Sequence, residues 1–286
     1  MLDLSGQWDL SDDTGQYTAP MSLPGDGITA LHDAGVIPDP YWRQNEYDLR
    51  WIAERDWVAR RTFIAPRQDM VLVISMLDTI VDVALYGQTV LRADSMFRTH
   101  RMDVSDALSV GENVIELRFR SAPQAAKARS DTQPYVVPFQ ADNCPIPHGN
   151  MLRKPECDFG WDWNMALAPF GLYGDIHLEP LGPRITDVIV AQDHDVQSVT
   201  LTIDVKTDGH EDGEELRASL CGVEAKGHLT SGVARLQLWI NTPELWWPTG
   251  LGTQTLHDLS ISVGQNKPTR RISLRDVKLV TKEDEA

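Results

Sequence analysis

The residues best suited to chemistry lie in one short stretch near the middle of the chain. Residues 157–163 read Cys-Asp-Phe-Gly-Trp-Asp-Trp, so that Trp161 and Trp163 flank Asp162. Aromatic faces can cover the apolar C–H face of a sugar, and a carboxylate accepts hydrogen bonds from its hydroxyl groups. This combination indicates a carbohydrate-contacting loop whose substrate-binding candidates are Trp161, Asp162 and Trp163.

A structural explanation of the same residues is also open. A loop aspartate often accepts hydrogen bonds from backbone N–H groups in a tight turn, which would make Asp162 a turn residue. Tryptophan belongs more often to a protein core than to a ligand contact, so Trp161 and Trp163 would then pack inward.

Other groupings of reactive residues give weaker signals. Cys144, His148 and Cys157 could be read as zinc ligands, but their spacing differs from that of structural zinc sites and no clear fourth ligand follows. Small thiols beside a proline-containing loop are the favoured interpretation, and we expect neither a metal nor a cofactor. The sequence has no Ser/His/Asp constellation, phosphate-binding glycine loop or Rossmann signature. No carboxylate pair suggests a catalytic site, so no catalytic residue is predicted.

Composition and charge restrict the possible partners. The chain has 286 residues, 42% of them hydrophobic, and a formal net charge of −16 at pH 7. The hydrophobic content suffices for a packed core. Nucleic acids and anionic membrane surfaces are bound by clustered Lys and Arg, so we expect neither as a partner.

The sequence predicts a cytoplasmic location. Its N-terminus has no basic region followed by an apolar run, which a secretory signal would need. The longest apolar run, residues 70–86, contains Asp78 and Asp82 and is too short to span a membrane. The three cysteines are an odd number, which fits a reducing compartment better than a disulfide framework.

Short alternating or apolar runs predict an all-β fold with a jelly-roll β-sandwich in its first part. The predicted strands there are residues 71–76, 80–85, 113–119 and 175–179. Residues 26–34 form the best helical pattern, which Asp26 or Thr29 would begin.

A domain boundary is predicted near residues 180–183, which read Pro-Leu-Gly-Pro. It separates a first domain, 1–182, from a second domain, 183–286. The second domain has three predicted strands, which are residues 198–205, 215–220 and 233–240. Asp-Gly turns and the length of this domain indicate a small immunoglobulin-like β-sandwich.

Several stretches along the chain are similar to one known family. They are residues 4–8 (Leu-Ser-Gly-Gln-Trp), 24–26 (Pro-Gly-Asp), 37–41 (Ile-Pro-Asp-Pro-Tyr), 55–57 (Arg-Asp-Trp), 60–63 (Arg-Arg-Thr-Phe), 77–79 (Leu-Asp-Thr), 143–145 (Asn-Cys-Pro), 148–150 (His-Gly-Asn), 159–163 (Phe-Gly-Trp-Asp-Trp) and 245–250 (Leu-Trp-Trp-Pro-Thr-Gly). On these residues, nearly the whole chain resembles the N-terminal part of β-mannosidases of glycoside hydrolase family 2. It departs from the family after Trp163, where Asn164 and Met165 replace the usual Gly-Pro.

The resemblance implies a galactose-binding-like jelly roll and an immunoglobulin-like domain, followed by a (β/α)₈ barrel that holds both catalytic glutamates. A barrel needs about 250 further residues, which the sequence lacks, so we expect a fragment that is inactive alone. By resemblance, Asp162 enters the active site of the barrel and binds a sugar hydroxyl. An Asn-Glu pair carries the family's acid/base on the barrel, whereas Asn45 and Glu46 lie in the first sandwich and are expected to be structural.

The predicted function is that of the non-catalytic N-terminal domains of a retaining β-mannosidase, which removes terminal β-mannosyl residues. A stand-alone carbohydrate-binding module is the main alternative, and a structural or assembly protein is a third. The expected partners are a β-mannoside or mannooligosaccharide and the catalytic barrel. We also expect self-association through apolar residues of the surface that would face the barrel.

Overall fold

The computed structural model describes residues 1–139, 142, 144–161 and 164–281. Strands account for 46% and helices for 11% of the structure, which confirms the predicted all-β class. The chain divides into two units, Met1–Leu181 and Gly182–Ala286. No helix in the described part of the chain is long and apolar enough to cross a membrane.

The strands of the first unit, Met1–Leu181, are short and pair antiparallel throughout. Within its described residues they are β1 (Leu2–Asp3), β2 (Gly6–Asp12), β3 (Thr18–Leu23), β4 (Gly25–Asp26), β5 (Trp57–Ala65), β6 (Met70–Ser75), β7 (Leu77–Asp78), β8 (Val81–Leu85), β9 (Gln88–Ala93), β10 (Thr99–Asp103), β11 (Gly111–Phe119), β12 (Gly171–Leu172) and β13 (Ile176–Pro180).

Two larger sheets and one small sheet form this unit. A six-stranded sheet has the order β3-β2-β5-β11-β8-β9, and a four-stranded sheet has the order β1-β13-β6-β10. Apolar side chains from both sheets share one core, in which Trp8, Trp57 and Phe119 are fully buried. This two-sheet arrangement is the predicted galactose-binding-like jelly roll.

The small sheet has the order β4-β12-β7, and each of its strands is two residues long. Gly171 in the middle strand pairs with Asp26 on one side and with Asp78 on the other. A Cβ atom on Gly171 would collide with the carbonyl oxygen of Gly25, so only glycine fits here. The small sheet therefore places Asp26 and Asp78 on opposite sides of Gly171.

Helices are few in the described residues, and the longest of them was not predicted. The helix α1 (Gly27–Asp33) begins where expected, because the carboxylate of Asp26 accepts a hydrogen bond from the backbone N–H of Thr29 at 2.9 Å. Two short elements follow, α2 (Asn45–Asp48) and a 3₁₀ turn (Arg50–Ile52). The missed helix is α3 (Ala122–Asp131), which buries only two residues, Pro123 and Ala126, and so has no large apolar stripe.

The second unit, Gly182–Ala286, is a seven-stranded immunoglobulin-like sandwich over its described residues. Its strands are β14 (Arg184–His194), β15 (Ser198–Asp208), β16 (Glu215–Leu220), β17 (Val223–His228), β18 (Val233–Asn241), β19 (His257–Val263) and β20 (Thr269–Ile272). The sheets have the orders β14-β15-β18 and β17-β16-β19-β20 and share a second apolar core. The strands predicted at residues 198–205, 215–220 and 233–240 are confirmed.

Candidate functional site

Trp161 belongs to a loop whose two arms are bonded to each other. We call residues 154–169 the tryptophan loop and its described residues 160–161 and 164–165 its tip. Phe159 and Ala166 form an antiparallel bridge below the tip, and the N–H of Ala168 donates to the carbonyl of Asp158 at 2.8 Å. The ring of Phe159 is fully buried. The two arms of the loop are thus anchored next to its tip.

Of the three predicted site residues, the structure describes Trp161. Its φ of 42° lies in the left-handed region that bulky side chains rarely adopt, and its side chain is half-buried. Such backbone strain is most frequent at functional sites. Asp162 and Trp163 lie outside the described residues, and their roles remain predictions.

Gly160 precedes Trp161 and fits closely against a neighbouring proline. Its φ is 123°, and a Cβ atom added to it would lie 2.5 Å from Cδ of Pro145. Both the backbone conformation and the lack of space therefore require glycine at this position.

Replacing Gly160 with alanine should lower the free energy of unfolding of the first unit by about 1–3 kcal/mol, as overpacking does. Gly35→Ala is the matched control, because Gly35 also has a positive φ, 70°, but nothing lies within 4 Å of the added Cβ. Urea denaturation compares the two variants. Equal losses of stability would show that space around Gly160 is not restricted.

A pocket of about 370 Å³ adjoins the tip, within the size range of small-molecule sites. Its walls combine polar and apolar residues, which are Asp26, Ile28, Thr29, His32, Asp39, Pro40, Tyr41, Asn164, Met165, Leu167, Pro169 and Tyr173. Asn164 and Met165 belong to the tip and follow Trp163 directly. We call this cavity the loop pocket.

The carboxylates of the loop pocket are fixed by their own segments. Asp26 accepts hydrogen bonds from the N–H and the hydroxyl of Thr29 at 2.9 and 2.7 Å, and Asp39 accepts one from the N–H of Tyr41 at 2.9 Å. A carboxylate has about four lone-pair positions, so each retains capacity to accept from a ligand hydroxyl. The ring of Tyr41 is exposed beside them. These groups suit a neutral, hydroxyl-rich ligand.

A buried ionic cluster connects the tryptophan loop to the strand β7. The ammonium group of Lys154 binds the carboxylate of Asp78, the carboxylate of Asp158 at 2.7 Å and the carbonyl of Pro169 at 2.6 Å. Burial raises the pKa of Asp78 to about 6, although the charge of Lys154 opposes this shift. Burial, and then the charges of Asp26, Asp78 and Asp158, raise the pKa of Tyr173, so its hydroxyl remains a hydrogen-bond donor.

Sequence reasoning missed this cluster because Asp78 and Lys154 lie 76 positions apart in the chain. Asp78 did stand out as an acidic residue inside an apolar run and as part of a stretch shared with the family. Lys154 and Asp158 gave no comparable signal, since charged residues in a polar loop are usually exposed.

The other candidates have structural surroundings. The carboxylate of Glu46 accepts hydrogen bonds from the N–H of Ala166 at 3.0 Å and from Arg50 at 3.3 Å, which suits a structural role beside the tryptophan loop. Cys144 and Cys157 are free, half-buried thiols. No group of three or more potential metal ligands occurs among the described residues.

The fold and the site define a two-unit β-sandwich chain with a pocket of mixed polar and apolar lining beside a tryptophan-bearing loop. Residues 8–174 match the glycosyl hydrolase 2 galactose-binding domain-like family. The chain belongs to this family.

Individual relatives are β-mannosidases. The β-mannosidase B of Emericella nidulans is 29% identical over 307 residues, which cover 98% of this chain and 36% of that enzyme. The probable β-mannosidase of Caenorhabditis elegans is 27% identical, covering 98% and 34%. The crystal structure of the β-D-mannosidase from Dictyoglomus thermophilum superposes with a TM-score of 0.88 at 25% identity, covering 99% of this chain and 37% of that one. The chain thus spans about a third of the length of these relatives.

Proposed function

We propose that this chain provides the non-catalytic N-terminal domains of a retaining β-mannosidase and supplies one sugar-contacting loop to a catalytic barrel. The main support is that 98% of this chain is similar to proteins named β-mannosidases, of which it matches about a third of the length. In this proposal the two catalytic glutamates belong to the barrel, and the substrate is a terminal β-mannoside or a mannooligosaccharide.

The loop pocket and the tip form the sugar-facing part of the proposed site. Asp162 accepts hydrogen bonds from a sugar hydroxyl, and Trp161 and Trp163 form an aromatic wall. Asn164, which immediately follows them, lines the loop pocket. Asp26 and Asp39 cap their own segments, an arrangement suited to binding hydroxyls rather than to attacking a glycosidic bond.

A retaining glycosidase needs two carboxylates about 5–5.5 Å apart, one as acid/base and one as nucleophile. Because the proposal assigns both to the barrel, the 286-residue chain should not hydrolyse a chromogenic β-mannoside. Release of the chromophore is followed spectrophotometrically, with an Asp162→Ala variant as the control for contaminating activity. Hydrolysis by the unsubstituted chain above that of the variant would overturn the assignment of catalysis to the barrel.

A stand-alone carbohydrate-binding module is the second candidate, and one observation favours it. The loop pocket is lined entirely by residues of the first unit. Titration calorimetry with mannose and mannobiose separates the two functions. A clear heat of binding by the isolated chain, abolished by Trp161→Ala, would favour the module, whereas the loop-donor function predicts weak or undetectable binding.

Exposed aromatic residues in the stretch that contributes Tyr41 to the loop pocket support self-association of the isolated chain. Tyr41, Trp42 and Tyr47 are all exposed and lie within a short stretch before β5. We expect light scattering to show a rise in average mass with concentration, which Trp42→Ser reduces and Phe97→Ser, at an exposed phenylalanine elsewhere, does not. A monodisperse monomer at high concentration would contradict this.

A further inference from the structure

Lys154 connects three separate pieces of the first unit through one buried ammonium group. Its side chain is 0% exposed. Its acceptors are Asp78 on β7, Asp158 on the outgoing side of the tryptophan loop and the carbonyl of Pro169 on the returning side. An ammonium group has three N–H donors, so these three acceptors use its full capacity.

A buried ionic cluster is weak evidence of a stabilising role. Removing two charges from water costs several kcal/mol per ion, and apolar residues of similar volume often replace a buried ion pair without loss. Apolar side chains, however, lack the directional bonds that fix one oxygen relative to another. The arrangement around Lys154 fixes both sides of the tryptophan loop relative to the strand β7.

We propose that Lys154 is a positioning residue, which holds the tip of the tryptophan loop in the geometry required for sugar contact by binding Asp78, Asp158 and the carbonyl of Pro169. The bridge between Phe159 and Ala166 continues this restraint to the tip. The sugar contact itself rests on the proposed function, whereas the restraint of the loop does not.

Charged and titratable groups from several elements face this cluster. They are Asp78 on β7, Asp158 on the tryptophan loop, Asp26 at the start of α1 and the hydroxyl of Tyr173 after β12. Because burial raises the pKa of Asp78 to about 6, this carboxylate takes up a proton as the pH falls through that value. Its attraction for Lys154 then weakens, so the order of the tip should decrease on the acidic side.

Hydrogen exchange of backbone amides measures this order directly. The single variant Lys154→Met leaves Asp78 buried without its cation and could fail to fold. The double variant Lys154→Met/Asp78→Asn removes both charges while keeping side chains of similar size, and its thermal unfolding verifies folding. We expect exchange protection of residues 157–166 to fall at least tenfold in the double variant, while that of β11 changes less than twofold.

The pH profile supplies a readout that a purely structural role would not change. Protection of residues 157–166, corrected for intrinsic exchange, should decrease between pH 7 and pH 5 in the unsubstituted chain and be flat in the double variant. Protection in the folded double variant within twofold of the original value, or the same pH profile in both proteins, would overturn the positioning role.

Sugar titration separates this proposal from the proposed function. If the exchange results hold but Asp162→Ala does not alter sugar contact in a form of the protein that binds β-mannosides, the proposed function fails and the positioning role stands. If Asp162→Ala abolishes sugar contact but the exchange results are absent, the positioning role of Lys154 fails alone.

Discussion

Replacing Phe159 with alanine is expected to lower the free energy of unfolding of the first unit by about 3–5 kcal/mol, the usual cost of emptying a buried phenylalanine site. Its ring is fully buried and packs so closely on Gly149 that a Cβ atom there would lie 2.6 Å away. It belongs to a small apolar cluster of its own, separate from the core between the two sheets. Few neighbours can therefore relax into the cavity.

Urea denaturation of the variant, followed by circular dichroism, checks this expectation. Phe97→Ala is the matched control, because Phe97 is 66% exposed and its loss should change the stability by less than about 0.5 kcal/mol. A loss below about 1 kcal/mol for Phe159→Ala would show that the base of the tryptophan loop is loosely packed.

Removing the carboxylate of Asp12 is expected to cost about 3 kcal/mol, since it breaks charge-assisted hydrogen bonds at a buried site. Asp12 accepts from Arg55 at 2.6 Å, from the hydroxyl of Thr14 at 2.5 Å and from the N–H of Tyr17 at 2.9 Å. In Asp12→Ala these donors lose their acceptor. The guanidinium of Arg55 also lies over the rings of Tyr17 and Trp51, so its position should change.

The pH dependence of this effect has a definite sign. Burial alone would raise the pKa of Asp12, but hydrogen bonds from Thr14, Tyr17 and Arg55 hold it below its ordinary value. The stabilisation is therefore present above about pH 4 and is lost as the pH falls through the lowered pKa. Stability curves of the original chain and Asp12→Ala should converge in acid. Asp69→Ala, at an exposed pair with Arg67, should leave the curve nearly unchanged.

Much of the fold followed from local patterns in the sequence. Alternation at residues 113–119 correctly predicted a strand, and in β11 the alternate residues Ile115, Leu117 and Phe119 are buried. The capping chemistry of Asp26 correctly located the start of α1. These predictions succeeded because each depends on side chains only a few positions apart, whose spacing determines which face is buried.

The candidate site was only partly predictable, because it depends on long-range pairing. The loop pocket joins residues near Asp26, residues near Tyr41 and the segment from Asn164 to Tyr173. No local pattern indicates that Lys154 reaches Asp78, 76 positions earlier in the chain. The Trp-Asp-Trp sequence drew attention to the tryptophan loop, whereas the roles of Trp161, Asp162 and Trp163 depend on the sugar-binding experiments.

The small sheet around Gly171 has a consequence for protein engineering. Its two-residue strands connect Asp26, which lines the loop pocket, to Asp78, which binds the cation under the tryptophan loop. The loop therefore does not constitute a portable module by itself. A graft of residues 154–169 onto another β-sandwich would need β4, β7 and β12 as well, and an insertion of one residue in any of these strands would shift the pocket and the loop together.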